Sequence, residues 1–247
     1  MNKEISISIV IPSLNEERGI KKTLASLPLR ELEQMGFDTE VLVVDGDSND
    51  GTQEIARASG ARLIVEERKG YGRAYKTGFS RSKGHIIVTL DADGTYPAEL
   101  IPYYLSELIS NNLDFITINR FSRVEKGAMS LTHRIGNKVL SSMLRLLYSI
   151  SVVDSQSGMW VVKKELINNI VLMSDDMALS EEIKVVAFRY FKSAELPGSY
   201  AIREGDAKLA TLRHGWKNLC FLFKYWIRQK YAIRIPMSHH PALERIP

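Results

Sequence analysis

Five short runs rich in β-branched residues recur through the first half of the chain, at residues 5–11, 40–44, 61–65, 86–90 and 114–118. Each run but the last leads through a polar loop into a helical stretch, and these stretches are expected to end near residues 27, 59, 79 and 110. Strands that alternate with helices across short connections predict an α/β fold: a mostly parallel central sheet with helices on both faces. Four loops that collect unusual residues, 12–16, 45–50, 91–95 and 119–123, all follow strands. Parallel strands bring such loops to one sheet edge, where open α/β sheets bind ligands.

The most constrained of these loops lies within residues 85–99, HIIVTLDADGTYPAE. A buried run ends directly in Asp91-Ala92-Asp93. Two carboxylates spaced i, i+2 at the end of a buried strand are costly unless something cationic meets them. A hard divalent ion shared with substrate phosphates would do so. The alternative is an acidic turn that caps the next helix. Convergence of the other loops favours the ion. The basic glycine stretch Arg68–Arg73 is either a phosphate cradle or a plain turn.

The second half is less regular. A helix is expected over 130–150, with its apolar stripe formed by Ile135, Val139, Met143, Leu146 and Leu147. A polar loop at 154–158 precedes a strand at 159–162, helices near 164–172 and 180–191, and a strand at 199–202. The last helix, about 210–231, interleaves basic with aromatic residues. That pattern suits a membrane interface, and it equally suits packing into the core or an oligomer contact. The expected organisation is one domain over residues 1–210 and a C-terminal amphipathic segment over 211–247.

Composition narrows the function. A chain of 247 residues with one cysteine, Cys220, has no internal disulfide framework. No apolar run reaches the roughly 20 residues of a membrane-spanning helix, and the start of the chain reads as a strand rather than a secretory leader. The net charge of +4 leaves a nucleic-acid or anionic-surface binding module as a rival. Acidic and basic groups gather in the same strand-end loops, which disfavours it. GxGxxG after the first strand, a P-loop, GxSxG and HExxH are all missing, so dehydrogenase, P-loop NTPase, serine hydrolase and zincin chemistry lack support.

The segments SIVIPSLNEE, VVDGDSNDGT, RKGYGRAYKTGF, VTLDADGTYPAELI, NRF, DSQSG and the R-x-G-x-x-K-L pattern at 203–209 occur in an order that resembles family-2 glycosyltransferases of the Rossmann-like GT-A fold. Within them the chain is similar to the dolichyl- and polyprenyl-phosphate sugar transferases, especially the archaeal N-acetylglucosaminyl- and glucosyltransferase branch. The resemblance implies that Pro12, Leu14 and Glu16 line the nucleoside and that Asp45 holds the base. Gly46 stands where the family usually has a second aspartate. Asp91 and Asp93, with Ala92 between them and Thr95 beyond, would bind Mg²⁺ or Mn²⁺ across a diphosphate. Arg120, Arg203 and Lys208 would contact donor diphosphate or acceptor phosphate, with Ala207 replacing the usual serine, and Arg73 is expected among the substrate-binding residues. Gln156 and Ser157 would approach the sugar, and Glu182 matches a carboxylate of the following helix. The expected catalytic groups are Asp91, Asp93, Arg120 and Arg203.

The implied reaction is inverting transfer of a sugar, GlcNAc or glucose favoured, from a UDP-sugar to a polyprenyl phosphate, feeding N-glycan assembly. A GDP-mannose donor, or a sugar-nucleotide binding protein without turnover, are the alternatives. The enzyme is expected at the cytoplasmic face of a membrane, held peripherally, with no nucleic-acid partner.

Overall fold

The computed structural model describes residues 5–205 and 211–232 of the chain. Its first half runs β1 (Ser6–Ser13), α1 (Glu17–Ala25), α2 (Leu29–Gln34), β2 (Asp38–Asp45), α3 (Thr52–Ala58), β3 (Arg62–Val65), α4 (Tyr71–Arg81), β4 (Ile86–Thr89), α5 (Ile101–Ser110) and β5 (Phe115–Val124). There follow α6 (Leu131–Tyr148), β6 (Trp160–Lys163), α7 (Lys164–Asn168), α8 (Leu179–Tyr190), β7 (Ser193–Tyr200) and α9 (Thr211–Ala232).

The strands form one sheet in the order β3-β2-β1-β4-β6-β5-β7. β1 pairs parallel with both β2 and β4, and β2 pairs parallel with β3. Alternate β1 residues feed opposite faces, as strand geometry requires. Ile7, Ile9 and Ile11 pack with Ile20 and Leu105 on one side, and Val10 packs with Tyr75, Phe79 and Trp160 on the other. Both faces are therefore closed, which explains why the central strands are continuously apolar.

β6 is inverted: it runs antiparallel to both β4 and β5. Its first residue, Trp160, lies opposite Thr89 at the end of β4. Residues 154–158 therefore reach the same sheet edge as the parallel strand ends, but from the start of a strand. β7 then pairs parallel with β5 and returns the chain to that edge at Tyr200.

Four local expectations change. α1 stops at Ala25 and a second short helix begins after Pro28, whose fixed φ suits a helix start. β5 continues to Val124, so Asn119–Arg123 belongs to a strand with a register shift rather than to a loop. β7 occupies 193–200 instead of 199–202. Pro197 and Gly198 read as breakers in sequence, yet β7 is the outermost strand, where a missing N–H is tolerated.

The fourth concerns α6. Its buried positions are Asn137, Leu140, Ser141, Leu144 and Tyr148. Leu140, Leu144 and Tyr148 join Val185 of α8 and Leu222 and Tyr225 of α9 in a third apolar cluster. The Tyr148 hydroxyl donates to the Leu222 carbonyl at 2.6 Å. Of the apolar stripe read from sequence, Met143 and Leu147 pack against this cluster, whereas Ile135 and Val139 are exposed and Leu146 is 76% exposed. The polar residues Asn137 and Ser141 go inward because a buried loop needs their hydrogen bonds.

Candidate active site

The loop after β4 holds the two aspartates at the sheet edge. The Asp91 Oδ1 accepts hydrogen bonds from the hydroxyls of Tyr71 (3.0 Å) and Tyr75 (3.1 Å), both on α4. Burial and the like charge on Asp93 raise the Asp91 carboxyl to about 6. The Asp93 Oδ1 accepts from the Thr95 amide (3.2 Å) and hydroxyl (2.7 Å). Its Oδ2 accepts from Arg203 Nη1 at 2.8 Å. The same guanidinium pairs through Nη2 with Glu16, which follows β1. The chain after β7 is docked here by its backbone too: the Glu204 amide donates to the Asp93 carbonyl at 3.0 Å.

This donor set suits a hard divalent cation. A guanidinium already bridges Asp93 and Glu16, so the position tolerates positive charge. Asp91, whose proton affinity is raised by burial and then by its like-charged neighbour, would be relieved by a second cation. Among the described residues no group of three or more His, Cys, Asp or Glu side chains forms a metal cage. Two carboxylates completed by substrate phosphates are the usual arrangement for Mg²⁺. Thr95, expected as a ligand, spends its hydroxyl proton on Asp93 and orients that carboxylate.

On the β1–β2 side, Asp45 is buried and accepts from Ser13 Oγ (2.9 Å), the Ser48 amide (2.7 Å), Ser48 Oγ (2.6 Å) and Gln53 Nε2 (2.8 Å). It ties the two strand ends together. Pro12 is buried in β1, Leu14 is exposed beside this junction, and Ala92 packs into the core.

The glycine stretch at 70–72 is a helix start, with Gly70 at the cap of α4. A Cβ at Gly70 would lie 2.2 Å from the Asp175 carbonyl oxygen, and one at Gly72 would lie 2.8 Å from the carbonyls of Ser174 and Asp176. These glycines admit the 174–176 segment, whose Asp175 carbonyl accepts the Arg73 amide at 3.0 Å. The Arg73 side chain pairs with the Asp175 carboxylate at 2.5 Å, as does Lys76. Arg73 therefore braces this contact and is not directed at the aspartates.

Residues 154–158 close the other side of the site. Gly158 lies against Asp91: a Cβ there would meet Tyr71 Oη at 2.2 Å and Asp91 Oδ1 at 3.3 Å. Asp154 is fully buried and makes a two-point pair with Arg120, at 2.7 and 2.8 Å. Burial opposes its charge, yet Arg120 holds its carboxyl below the usual carboxylate range. Arg120, expected at the donor or acceptor phosphate, here pairs with Asp154 and stacks over the Tyr200 ring at 5.0 Å. Asn137 Nδ2 also donates to Asp154, at 2.5 Å.

Gln156 is held from two directions. Its Nε2 donates to Glu181, and its Oε1 accepts from Asn218 Nδ2 at 3.1 Å. Ser157 is fully buried, and its hydroxyl has no hydrogen-bond partner among the described residues. Glu182 does not reach Gln156. Its carboxylate accepts the amides of Met173 and Ser174, each at 2.8 Å. Its neighbour Glu181 is the inward-facing carboxylate, and burial raises it to about 7. Tyr71 reads in sequence as packing or function and Asp154 lies in the DSQSG segment without a role, whereas Tyr75, Glu181, Lys184 and Asn218 are not singled out by sequence. Only the i, i+3 spacing of Glu181 and Lys184 on a helix hinted at a shared face. Lys208 and Ala207 lie outside the described residues.

With this geometry in view, the comparisons with known proteins are decisive about kinship. The profile of Glycosyl transferase family 2 matches residues 8–171. The chain belongs to this family. It is 34% identical over 206 residues to the dolichyl-phosphate hexose transferase of Haloferax volcanii, covering 82% of this chain and 86% of that protein. It is also 34% identical over 220 residues to the low-salt glycan biosynthesis hexosyltransferase Agl6 of the same organism, covering 88% of this chain. The chain spans about half of the length of Agl6, 53%. Among solved structures, glucosyl-3-phosphoglycerate synthase from Mycobacterium tuberculosis in complex with Mn²⁺, UDP-glucose and phosphoglyceric acid superposes with a TM-score of 0.70 at 20% identity, over 90% of this chain and 80% of that one. That likeness establishes the shared glycosyltransferase fold, the GT-A architecture expected from sequence.

Proposed function

We propose that this family-2 glycosyltransferase moves a hexose, glucose or GlcNAc, from a UDP-sugar to dolichyl or another polyprenyl phosphate, in glycan assembly such as N-glycan formation. The observation that carries the reading is the Asp91–Asp93 pair facing Arg203, on loops that follow β4 and β7. The reaction asks for that combination. Asp91 and Asp93 would hold Mg²⁺ or Mn²⁺, which when bound offsets the charge developing on a nucleoside diphosphate leaving group. Arg203 supplies a planar cation that pairs with phosphate oxygens as readily as with the carboxylates it now bridges. An acceptor phosphate is already an anion at neutral pH, so it attacks without a strong general base. A single displacement inverts the anomeric carbon. The named relatives support the lipid acceptor, and the Mn²⁺–UDP-glucose complex of the structural neighbour supports the donor.

A lipid acceptor must be met at a membrane surface. Among the described residues no helix is long and apolar enough to cross a membrane. α6 exposes Leu131, Ile135, Val139 and Leu146 at helical spacing, and α9 exposes Trp216, Phe223 and Ile227. Neither helix contains an acidic residue, while Arg134, Lys138, Arg145, Lys217, Lys224, Arg228 and Lys230 are exposed on them. Apolar stripes flanked by cations fit an anionic bilayer interface, here assigned to the cytoplasmic leaflet.

The test is nucleotide release from UDP-glucose, UDP-GlcNAc and GDP-mannose, with and without dolichyl phosphate, in Mg²⁺, Mn²⁺ or chelator. The reading expects lipid-dependent UDP release that chelator stops. Release of GDP would reassign the donor, and release independent of lipid would remove the acceptor.

A further inference from the structure

Helix α8 grips the 154–158 loop at three points around one residue. The Lys184 ammonium, fully buried, donates to the carbonyls of Ser155 (2.8 Å) and Ser157 (2.7 Å), the two neighbours of Gln156. One turn earlier Glu181, also fully buried, accepts from the Gln156 amide. Asn218, 2% exposed on α9, donates to Gln156 Oε1 and to both Glu181 oxygens, at 3.1 and 3.3 Å. Burying a carboxylate, an ammonium and an amide together is unfavourable unless each is satisfied. Apolar residues would stabilise the same space more simply.

The arrangement has one geometric consequence. A glutamine amide can be turned about its last torsion, which exchanges its oxygen and nitrogen. Here the turned form would set Oε1 against the Glu181 carboxylate and Nε2 against the Asn218 amide. With Glu181 ionised both contacts would be repulsive, so one orientation is favoured. Nε2 keeps a second N–H and Oε1 keeps a second lone pair. A donor beside an acceptor in fixed array is what a sugar hydroxyl, itself both donor and acceptor, requires. Gly158, two residues on, touches Asp91.

We propose that Glu181 and Asn218 are positioning residues: they lock the Gln156 carboxamide in one orientation toward the donor hexose, and α9 thereby takes part in selecting the sugar. The inference rests on the hexosyl-transfer reading above. It assigns α9 a part in the site distinct from any contact with lipid.

A double-mutant cycle in the full chain tests it, reading kcat/KM for the UDP-hexose that the wild type turns over fastest. Gln156→Ala and Asn218→Ala should each lower kcat/KM about tenfold, the scale of one lost hydrogen bond. The double variant should match Gln156→Ala alone, because Asn218 acts through Gln156. A stability defect unrelated to Gln156 would instead give the same factor in both backgrounds, and that result would overturn the proposal. If Asn218→Ala does not fold, Glu181→Gln, which keeps the side-chain shape, runs the same cycle. Full activity in Gln156→Ala would overturn the positioning role while leaving hexosyl transfer intact. A wild type that transfers no hexose would overturn both.

Discussion

The site is assembled from two regions built on opposite principles. The half formed by the loops after β1, β4 and β7 brings Glu16, Asp93 and Arg203 together at the sheet edge, where the partly exposed guanidinium can exchange partners with a phosphate. The half formed by α6, α8 and α9 places its charges inside: Arg120, Asp154, Glu181 and Lys184 are all nine-tenths or more buried. The first region is suited to reactants that arrive with charge. The second is suited to holding a loop still. Depth alone does not separate the two halves, since Asp93 is itself 4% exposed: its partner Arg203 stays partly exposed and can be exchanged for another charged group, whereas Arg120 and Asp154 enclose each other.

The sharpest way to break this comparison is at Asp154. Its loss leaves the Arg120 guanidinium buried without its two-point partner, a change worth about 3–5 kcal/mol. Asp154→Ala should lower the midpoint of thermal unfolding by roughly 10 °C. An unchanged midpoint would show that the second region is not the rigid element described.

A second, smaller effect follows from Glu181, which titrates at about 7 in the folded chain against 4.5 for an ordinary glutamate. Between those values the native state holds a proton that the unfolded state has released. Stability contributed by this group is therefore present below pH 4.5 and is lost as pH rises through 7. Lys184 is the charge that acts on it, and Asp154, Arg120 and Glu195 act in turn on Lys184. Urea unfolding at pH 5 and pH 8 should show the wild type losing about 2–3 kcal/mol from this source, a loss that Glu181→Gln removes. Identical pH dependence in the two proteins would contradict the burial argument.

The smallest predicted effect sharpens the comparison at its margin. Lys224→Glu with Arg228→Glu on the exposed side of α9 should weaken sedimentation with vesicles containing phosphatidylserine by about 1 kcal/mol per charge removed. Transfer to a short, water-soluble prenyl phosphate should stay unchanged. Equal vesicle binding would detach α9 from the lipid surface.

The same contrast governs what could be read before the structure was known. The edge region was legible because its signals are local. β-Branched runs end in Asp45 and in Asp91–Asp93, and parallel strands bring those ends together. Arg203 was placed only by resemblance, since its partners Glu16 and Asp93 lie 187 and 110 residues away. The buried region was misread for physical reasons. An amphipathic pattern identifies an apolar stripe but cannot say that polar Asn137 and Ser141 face inward to serve a loop, leaving Ile135 and Leu146 outside. Arg120 looked like a phosphate ligand because nothing in sequence pairs it with Asp154, 34 residues on. The resemblance pointed to Glu182 and was silent on Glu181; adjacent helical residues point about 100° apart, and it is Glu181 that meets Gln156. β7 was displaced because Pro197 and Gly198 look like breakers unless the strand is known to lie at the sheet boundary.

The central claim is that the edge carboxylates drive hexose transfer onto a lipid phosphate. It is tested most directly by following radiolabelled hexose from its UDP donor into organic-extractable dolichyl phosphate, comparing the wild type with Asp93→Ala in the presence of Mn²⁺. The account predicts label in the lipid fraction for the wild type and a loss on the order of 100- to 1,000-fold in the variant, the scale of losing charge stabilisation at a leaving group. Lipid labelling that survives Asp93→Ala, or donor turnover that never labels the lipid, would contradict it.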